Sequence, residues 1–202
     1  CCSAAPRARP PRRGSRLTGF WPLGAYVATL VVLFVRFVDP EAPRAPRRLV
    51  ASEADLALVR RHHAIFYALV LLAPLEWWLR GRPAGVLQLL GVGLALAGVA
   101  GYRRAGRTLG DQLSPLVAPA EPAVLVEHGV YGRIRHPMYL AELAIAFGVP
   151  MMLGVSWTIV LSVLFAVAVV HRIGVEERAI AARLPAYQDY AARTSRLIPH
   201  VF

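Results

Sequence analysis

The chain has 202 residues, 56% hydrophobic and only 17% charged, with a mean hydropathy of +0.48. That balance excludes a disordered chain and argues for a membrane protein rather than a soluble domain. The only cysteines, Cys1 and Cys2, are adjacent, which excludes a disulfide framework and a zinc site built on cysteine.

The formal net charge is +11, all 23 basic residues are arginine, and lysine and asparagine are absent. A GC-rich coding bias, as in many bacteria, explains the missing lysine, so the charge is weak evidence for nucleic acid. No basic motif with interleaved aromatics accompanies it, and no nucleic-acid partner is expected.

In chain order, residues 1–19 carry five arginines and three prolines and read as a disordered or interfacial tail. Residues 20–202 read as one all-α integral membrane domain. Apolar runs follow at about 21–38, 64–79, 85–101, 139–153 and 155–171, which predicts about five transmembrane helices. At ~1.5 Å per residue each run covers roughly 22–27 Å, slightly short of a ~30 Å hydrocarbon core. The second run extends naturally toward its N-terminus, because Ser52 with Asp55 three residues later reads as a helix start near 53. Residues 139–171 hold a single charge, Glu142, and a break at Gly148, Pro150 and Gly154 predicts a tight helical hairpin. No repeat and no strand pattern is evident.

Five spans put the 1–19 tail and two short turns on one side, with seven arginines. The loops at 39–61 and 102–138 and the C-terminal tail fall on the other, with fifteen. Positive-inside bias places the richer side in the cytoplasm; the arginines of the tail pull the other way.

Polar groups gather at the cytoplasmic ends of the hairpin. Pro137 suits the first turn of a helix, which puts His136 at the helix mouth and Tyr139 one turn in on about the same side. Free amides at such a mouth suit an anionic group. On the other arm Arg172 and Glu176 are four apart and share a face. An ordinary interfacial salt bridge would account for that pair as well. Ionisable groups at membrane depth are expensive and commonly functional.

The motifs LVxxGVYxxxRHPxY at 125–139, RxxxEE at 172–177 and YxxYxxRxxxxIP at 187–199 together resemble the isoprenylcysteine carboxyl methyltransferase family of integral membrane enzymes. The resemblance covers residues 119–202. It implies a methyltransferase using S-adenosylmethionine, with S-adenosylhomocysteine as product, in a pocket closed by the C-terminal segment. The catalytic half would be 103–202. The resemblance also implies a lipophilic small-molecule acceptor that enters from the bilayer, and no metal. Val124, Leu125 and Val126 match the family stretch that lines the cofactor. Tyr131, the turn His136, Pro137, Met138 and Tyr139, and Glu176 match cofactor-binding positions. Arg172 matches the arginine that orients the acceptor. Arg135, Glu142, Glu177, Tyr187 and Tyr190 are secondary candidates.

The chemistry agrees with those roles. A carboxylate such as Glu176 pairs an ammonium, and an arginine fork matches an acceptor carboxylate. A carboxylate acceptor needs no general base. An amine acceptor must lose a proton, and His136 or Glu142 would then be the base. The expected activity is methylation of a carboxylate on a small lipophilic acceptor, in a bacterial inner membrane with the site facing the cytoplasm. The alternatives are phospholipid N-methylation and a non-catalytic membrane scaffold. Ala123 stands where eukaryotic members carry histidine, the 177–187 segment is one residue shorter, and Leu140 replaces a common glycine. These departures weigh against prenylcysteine as the acceptor.

Elsewhere, His62 and His63 read as interfacial histidines, since adjacent helical residues point ~100° apart and make a poor metal pair. Glu142 reads as snorkelling or paired to a neighbouring helix, with a pocket wall as the alternative. Glu76, beside Trp77 and Trp78, reads as part of an interfacial belt, and Arg36 as snorkelling. Arg103, Arg104 and Arg107 read as an anchor or a lipid head-group contact, with an anionic acceptor as the alternative. Gly91, Gly93, Gly98 and Gly101 read as close helix packing.

Overall fold

A computed structural model describes residues 20–38, 53–80, 85–113 and 124–199, with no side-chain description for 32–38 and 111. The expected basic tail, Ser52 and the Arg36 side chain lie outside what is described. The predicted apolar runs become five helices: α1 (Trp21–Val38), α2 (Glu53–Arg80), α3 (Val86–Leu109), α4 (Pro137–Leu153) and α5 (Thr158–Arg183). A short α6 (Tyr187–Arg193) follows, and 3-10 turns stand at Gly110–Gln112 and Gly129–Gly132.

Three of these helices, α2, α3 and α5, are long and apolar enough to cross a membrane; α4, at 17 residues, is a shorter apolar helix. Their outward faces are oily: Leu71, Trp78, Val86, Leu89, Val160 and Val167 are all more than half exposed. Such a wide apolar surface is costly in water and ordinary in lipid. The inward faces meet in a core of Leu69, Ala73, Ile145, Val149, Phe165 and Val169.

The most extensive helix contact is α3 against α4, and small residues make it. A Cβ added at Gly91 would lie 2.2 Å from the Met152 backbone nitrogen, one at Gly98 2.7 Å from the Ala141 carbonyl oxygen, and one at Gly148 2.6 Å from the Ala95 nitrogen. The backbones are therefore nearly in contact, as in membrane packing through small residues. Gly93 is different, since a Cβ there would meet nothing within 4 Å. Gly148→Ala should accordingly destabilise the fold by about 1–3 kcal/mol through overpacking. Gly93→Ala should be neutral or slightly stabilising, because alanine favours helix. Thermal unfolding of the two variants in one detergent separates these outcomes.

The α4–α5 hairpin forms at the expected break. Gly154 ends α4 in the left-handed region, φ 64° and ψ 33°, where a Cβ would be strained. The amides that open α5 are bound by a distant side chain. Glu76 of α2 accepts from the backbone N–H of Ser156 and Trp157 at 2.9 Å and of Thr158 at 3.0 Å, and from the Thr158 hydroxyl at 3.0 Å. A carboxylate at the positive end of a helix is favourable. Glu76 is thus a cap supplied by another helix, not a member of an interfacial belt. The difference arises because the turn holds no capping side chain of its own for these donors.

Candidate active site

The site lies at the end of the hairpin opposite Glu76. The 3-10 turn Gly129–Gly132 packs on α3: Gly129 has φ 61°, and a Cβ there would lie 3.1 Å from Thr108 Cγ2. The turn buries Tyr131. Four residues past the turn, His136 takes the N-cap position of α4 and Pro137 opens the helix, as its missing N–H allows.

Tyr139 is the centre of the arrangement. Its ring stacks on His136, with centroids 5.6 Å apart and planes 26° apart. Its hydroxyl donates to Glu176 Oε2 at 2.5 Å. The Arg172 guanidinium lies 5.5 Å from its centroid, a cation–π distance. His136, Tyr139, Arg172 and Glu176, far apart in sequence, therefore form one connected group on the facing sides of α4 and α5. His136 and Arg172 are buried, Arg172 to 4% exposure. A buried guanidinium in an apolar bundle costs heavily unless its surroundings are built for it.

The C-terminal segment is sewn across this group. Arg135 N–H donates to the Ser195 carbonyl at 2.8 Å, His136 N–H to the Arg196 carbonyl at 3.0 Å, and Ser195 N–H to the Arg133 carbonyl at 3.2 Å. Glu177 ties the side chains, accepting from Arg135 Nε at 2.9 Å, Arg196 Nε at 2.9 Å and His136 Nε2 at 3.3 Å. Arg135 also donates to the carbonyls of Ala191, at 2.9 Å, and Thr194. Arg193 pairs with Glu127.

On α6, the Tyr190 hydroxyl donates to the Tyr131 carbonyl at 2.7 Å. Burial pushes the Tyr190 phenol up to about 12. Burial also raises those of Tyr131, with the Glu176 charge adding to it, and Tyr187, with Glu177 adding. All three stay neutral at physiological pH, so Tyr190 remains a donor that holds α6 to the turn.

Of the sequence-predicted residues, Tyr131, His136, Pro137, Tyr139, Arg172 and Glu176 come together here, with Met138 in the first turn of α4. Tyr187 and Tyr190 belong to α6 in the overlying segment, and Arg135 before α4 and Glu177 on α5 tie that segment down. Val124, Leu125 and Val126 form an irregular stretch in which Val124 is exposed and its N–H donates to Gln112 Oε1 at 3.1 Å.

Glu142 meets His62 of α2, whose Nε2 donates to its Oε2 at 2.9 Å. His62 is 4% exposed, so it is a buried histidine rather than an interfacial one. No local pattern signals this, because the partner is 80 residues away. His63 bonds the Val59 carbonyl through Nδ1 at 2.8 Å. Among the described residues no group of three or more His, Cys, Asp or Glu could hold a metal. Arg103, Arg104 and Arg107 of α3 line an open hollow of about 840 Å³, bordered also by His128 and Gly129.

No curated protein matches the chain. Among solved structures it is similar to the eukaryotic intramembrane Ras methyltransferase ICMT (isoprenylcysteine carboxyl methyltransferase). The identity is 18%, over 93% of this chain and 70% of that one, with a TM-score of 0.62. At that identity the likeness speaks for the fold. The family model described as phospholipid methyltransferase matches residues 82–185. That span takes in α3, the His136 turn, α4 and the whole of α5, which carries Arg172 and Glu176. It is just over half of the sequence, and the protein is accordingly a membrane methyltransferase belonging to the phospholipid methyltransferase family.

Proposed function

We propose that the protein transfers a methyl group from S-adenosylmethionine to a lipophilic acceptor drawn from the bilayer, at the end of the hairpin that carries Tyr139. The observation that carries this reading is the Tyr139 junction: one phenol joins a carboxylate on α5, an imidazole at the mouth of α4 and a buried guanidinium. These groups fit the donor. A sulfonium and an ammonium are cations that a carboxylate and aromatic faces attract, and a helix mouth accepts a carboxylate. When bound, the donor supplies an electrophilic methyl group. The chain's residues position the two reactants and exclude water, which is most of what an in-line displacement requires.

In this assignment Glu176 holds the donor's ammonium. Val124, Leu125, Val126, Tyr131 and His136 through Tyr139 form its bed. Arg172 holds an anionic group of the acceptor, and the segment clamped by Glu177 is the cover. The richer arginine side, which carries the site, faces the cytoplasm.

A guanidinium fork binds phosphate as well as carboxylate, so Arg172 suits two acceptors. The first is the amine of a phospholipid whose phosphate Arg172 holds; the family match and the arginine-lined hollow beside Gly129 favour it. The second is a carboxylate, favoured by the likeness to a carboxyl methyltransferase.

The test is calorimetric titration with S-adenosylhomocysteine. Glu176→Ala should weaken binding at least about tenfold, equivalent to ~1.4 kcal/mol. Unchanged affinity in the folded variant refutes the assignment. Labelled product then separates the acceptors, since an N-methyl group survives base and a methyl ester releases methanol.

A further inference from the structure

His62 and Glu142 are the buried ionisable pair that the assignment above leaves without a task. His62 Nε2 faces a carboxylate oxygen at 2.9 Å. A carboxylate only accepts, so Nε2 carries the hydrogen. The other ring nitrogen, Nδ1, is buried and has no hydrogen-bond partner. In the neutral ring Nδ1 is then a bare acceptor. A buried acceptor with no donor is costly, and such an atom calls for a ligand or a chemical role.

The surroundings locate it. From α4, Tyr139 presents its ring with centroids 6.0 Å apart, and Glu142 sits one turn beyond Tyr139. From α5, Phe165 lies at 4.8 Å, and on α2 itself His63 lies at 5.5 Å. Glu142 is the carboxylate that faces the ring, and Tyr139 the phenol. The pair thus borders the ring that Arg172 and His136 border from other sides, on the flank toward the apolar middle of the bundle. An imidazole oriented through one nitrogen by a carboxylate, with the other nitrogen bare, is the arrangement of a general base.

We propose that His62, held by Glu142, accepts the proton that an amine acceptor gives up when it is methylated. This rests on the methyl-transfer reading and selects the amine over the carboxylate within it. The ammonium of the acceptor gives its proton to Nδ1. The freed lone pair forms the N–CH₃ bond as the methyl leaves sulfur, whose C–S pair stays on sulfur. The imidazolium is balanced by the Glu142 carboxylate and returns its proton to solvent after product leaves. A carboxylate acceptor would use none of this.

The experiment compares wild type, His62→Gln, Glu142→Gln and His62→Ala in detergent. The probes are short-chain phosphatidylethanolamine, a free isoprenylcysteine and S-adenosylhomocysteine. His62→Gln should lose at least about a hundredfold of kcat on the phosphatidylethanolamine, the usual range for a lost general base. Its affinity for S-adenosylhomocysteine should stay within about threefold of wild type, less than ~1 kcal/mol. Glu142→Gln keeps a hydrogen-bond acceptor but loses the charge, and should fall by about tenfold. Added imidazole should restore part of the turnover of His62→Ala, which a purely structural role would not allow. Nitrogen NMR of labelled histidine should show the Nε2–H tautomer, with the Nδ1 signal moving when phosphatidylethanolamine binds.

The proposal is overturned if His62→Gln keeps kcat, if both variants lose S-adenosylhomocysteine binding, if imidazole fails to rescue, or if wild type methylates only the isoprenylcysteine. Wild type that binds no S-adenosylhomocysteine would overturn the methyl-transfer reading itself.

Discussion

Arg172→Ala should all but abolish methyl transfer, by at least about a hundredfold in turnover, as expected when a preorganised charge is removed from a reacting site. Affinity for S-adenosylhomocysteine should stay within about threefold, less than ~1 kcal/mol. The reasoning is local. The guanidinium is buried over the Tyr139 ring, on the face of α5 that also carries Glu176 one turn later. A planar, permanently charged fork held at that depth suits the carboxylate or phosphate of an acceptor.

Arg172→Lys should recover little, since an ammonium cannot reproduce a planar two-pronged contact. Transfer of labelled methyl, measured beside calorimetry on the same preparation, reads both quantities. Loss of S-adenosylhomocysteine binding would move Arg172 to the donor's side, and unaltered turnover would remove it from the site.

Glu177→Ala should be the most damaging change to the fold near the site, at about 3 kcal/mol, the low end for breaking a buried pair. Its carboxylate serves Arg135, Arg196 and His136 together. Arg135 is 10% exposed, so removing its partner strands a charge; Arg196, 41% exposed, can turn to water, which keeps the cost from rising further. The backbone pairing of 133–136 with 195–196 then has to hold the cover by itself. Limited proteolysis should cut the variant after α5 faster than wild type, and thermal unfolding should begin earlier. Equal cleavage and melting would show that the backbone contacts suffice.

The sequence announced the helices and the motif residues for a physical reason. Long apolar runs, a proline at a helix start and a pair four apart are all local patterns, and each reappears at its place. Long-range pairing left no such trace. Glu76 looked like a companion of Trp77 and Trp78, because nothing near it in the chain shows that the turn at 156–158 lacks acceptors of its own. His62 reads locally as an interfacial histidine, because its partner Glu142 lies on another helix. Glu177 stood out as part of a motif, but its three partners come from two segments that only folding brings together. Among the glycines of α3, composition could not tell Gly91 and Gly98, against which another backbone rests, from Gly93, which faces nothing.

The bond between Glu76 and the start of α5 makes the bundle unequal at its two ends. Separating α2 from α5 there would break four hydrogen bonds to one carboxylate at once. At the other end α2 meets α4 through the His62–Glu142 bond and the contact of the His62 ring with Tyr139, and meets α5 through ring packing on Phe165. One end of the bundle is thus tied by a single carboxylate serving several donors, and the end beside Tyr139 by one carboxylate–imidazole bond and packed rings.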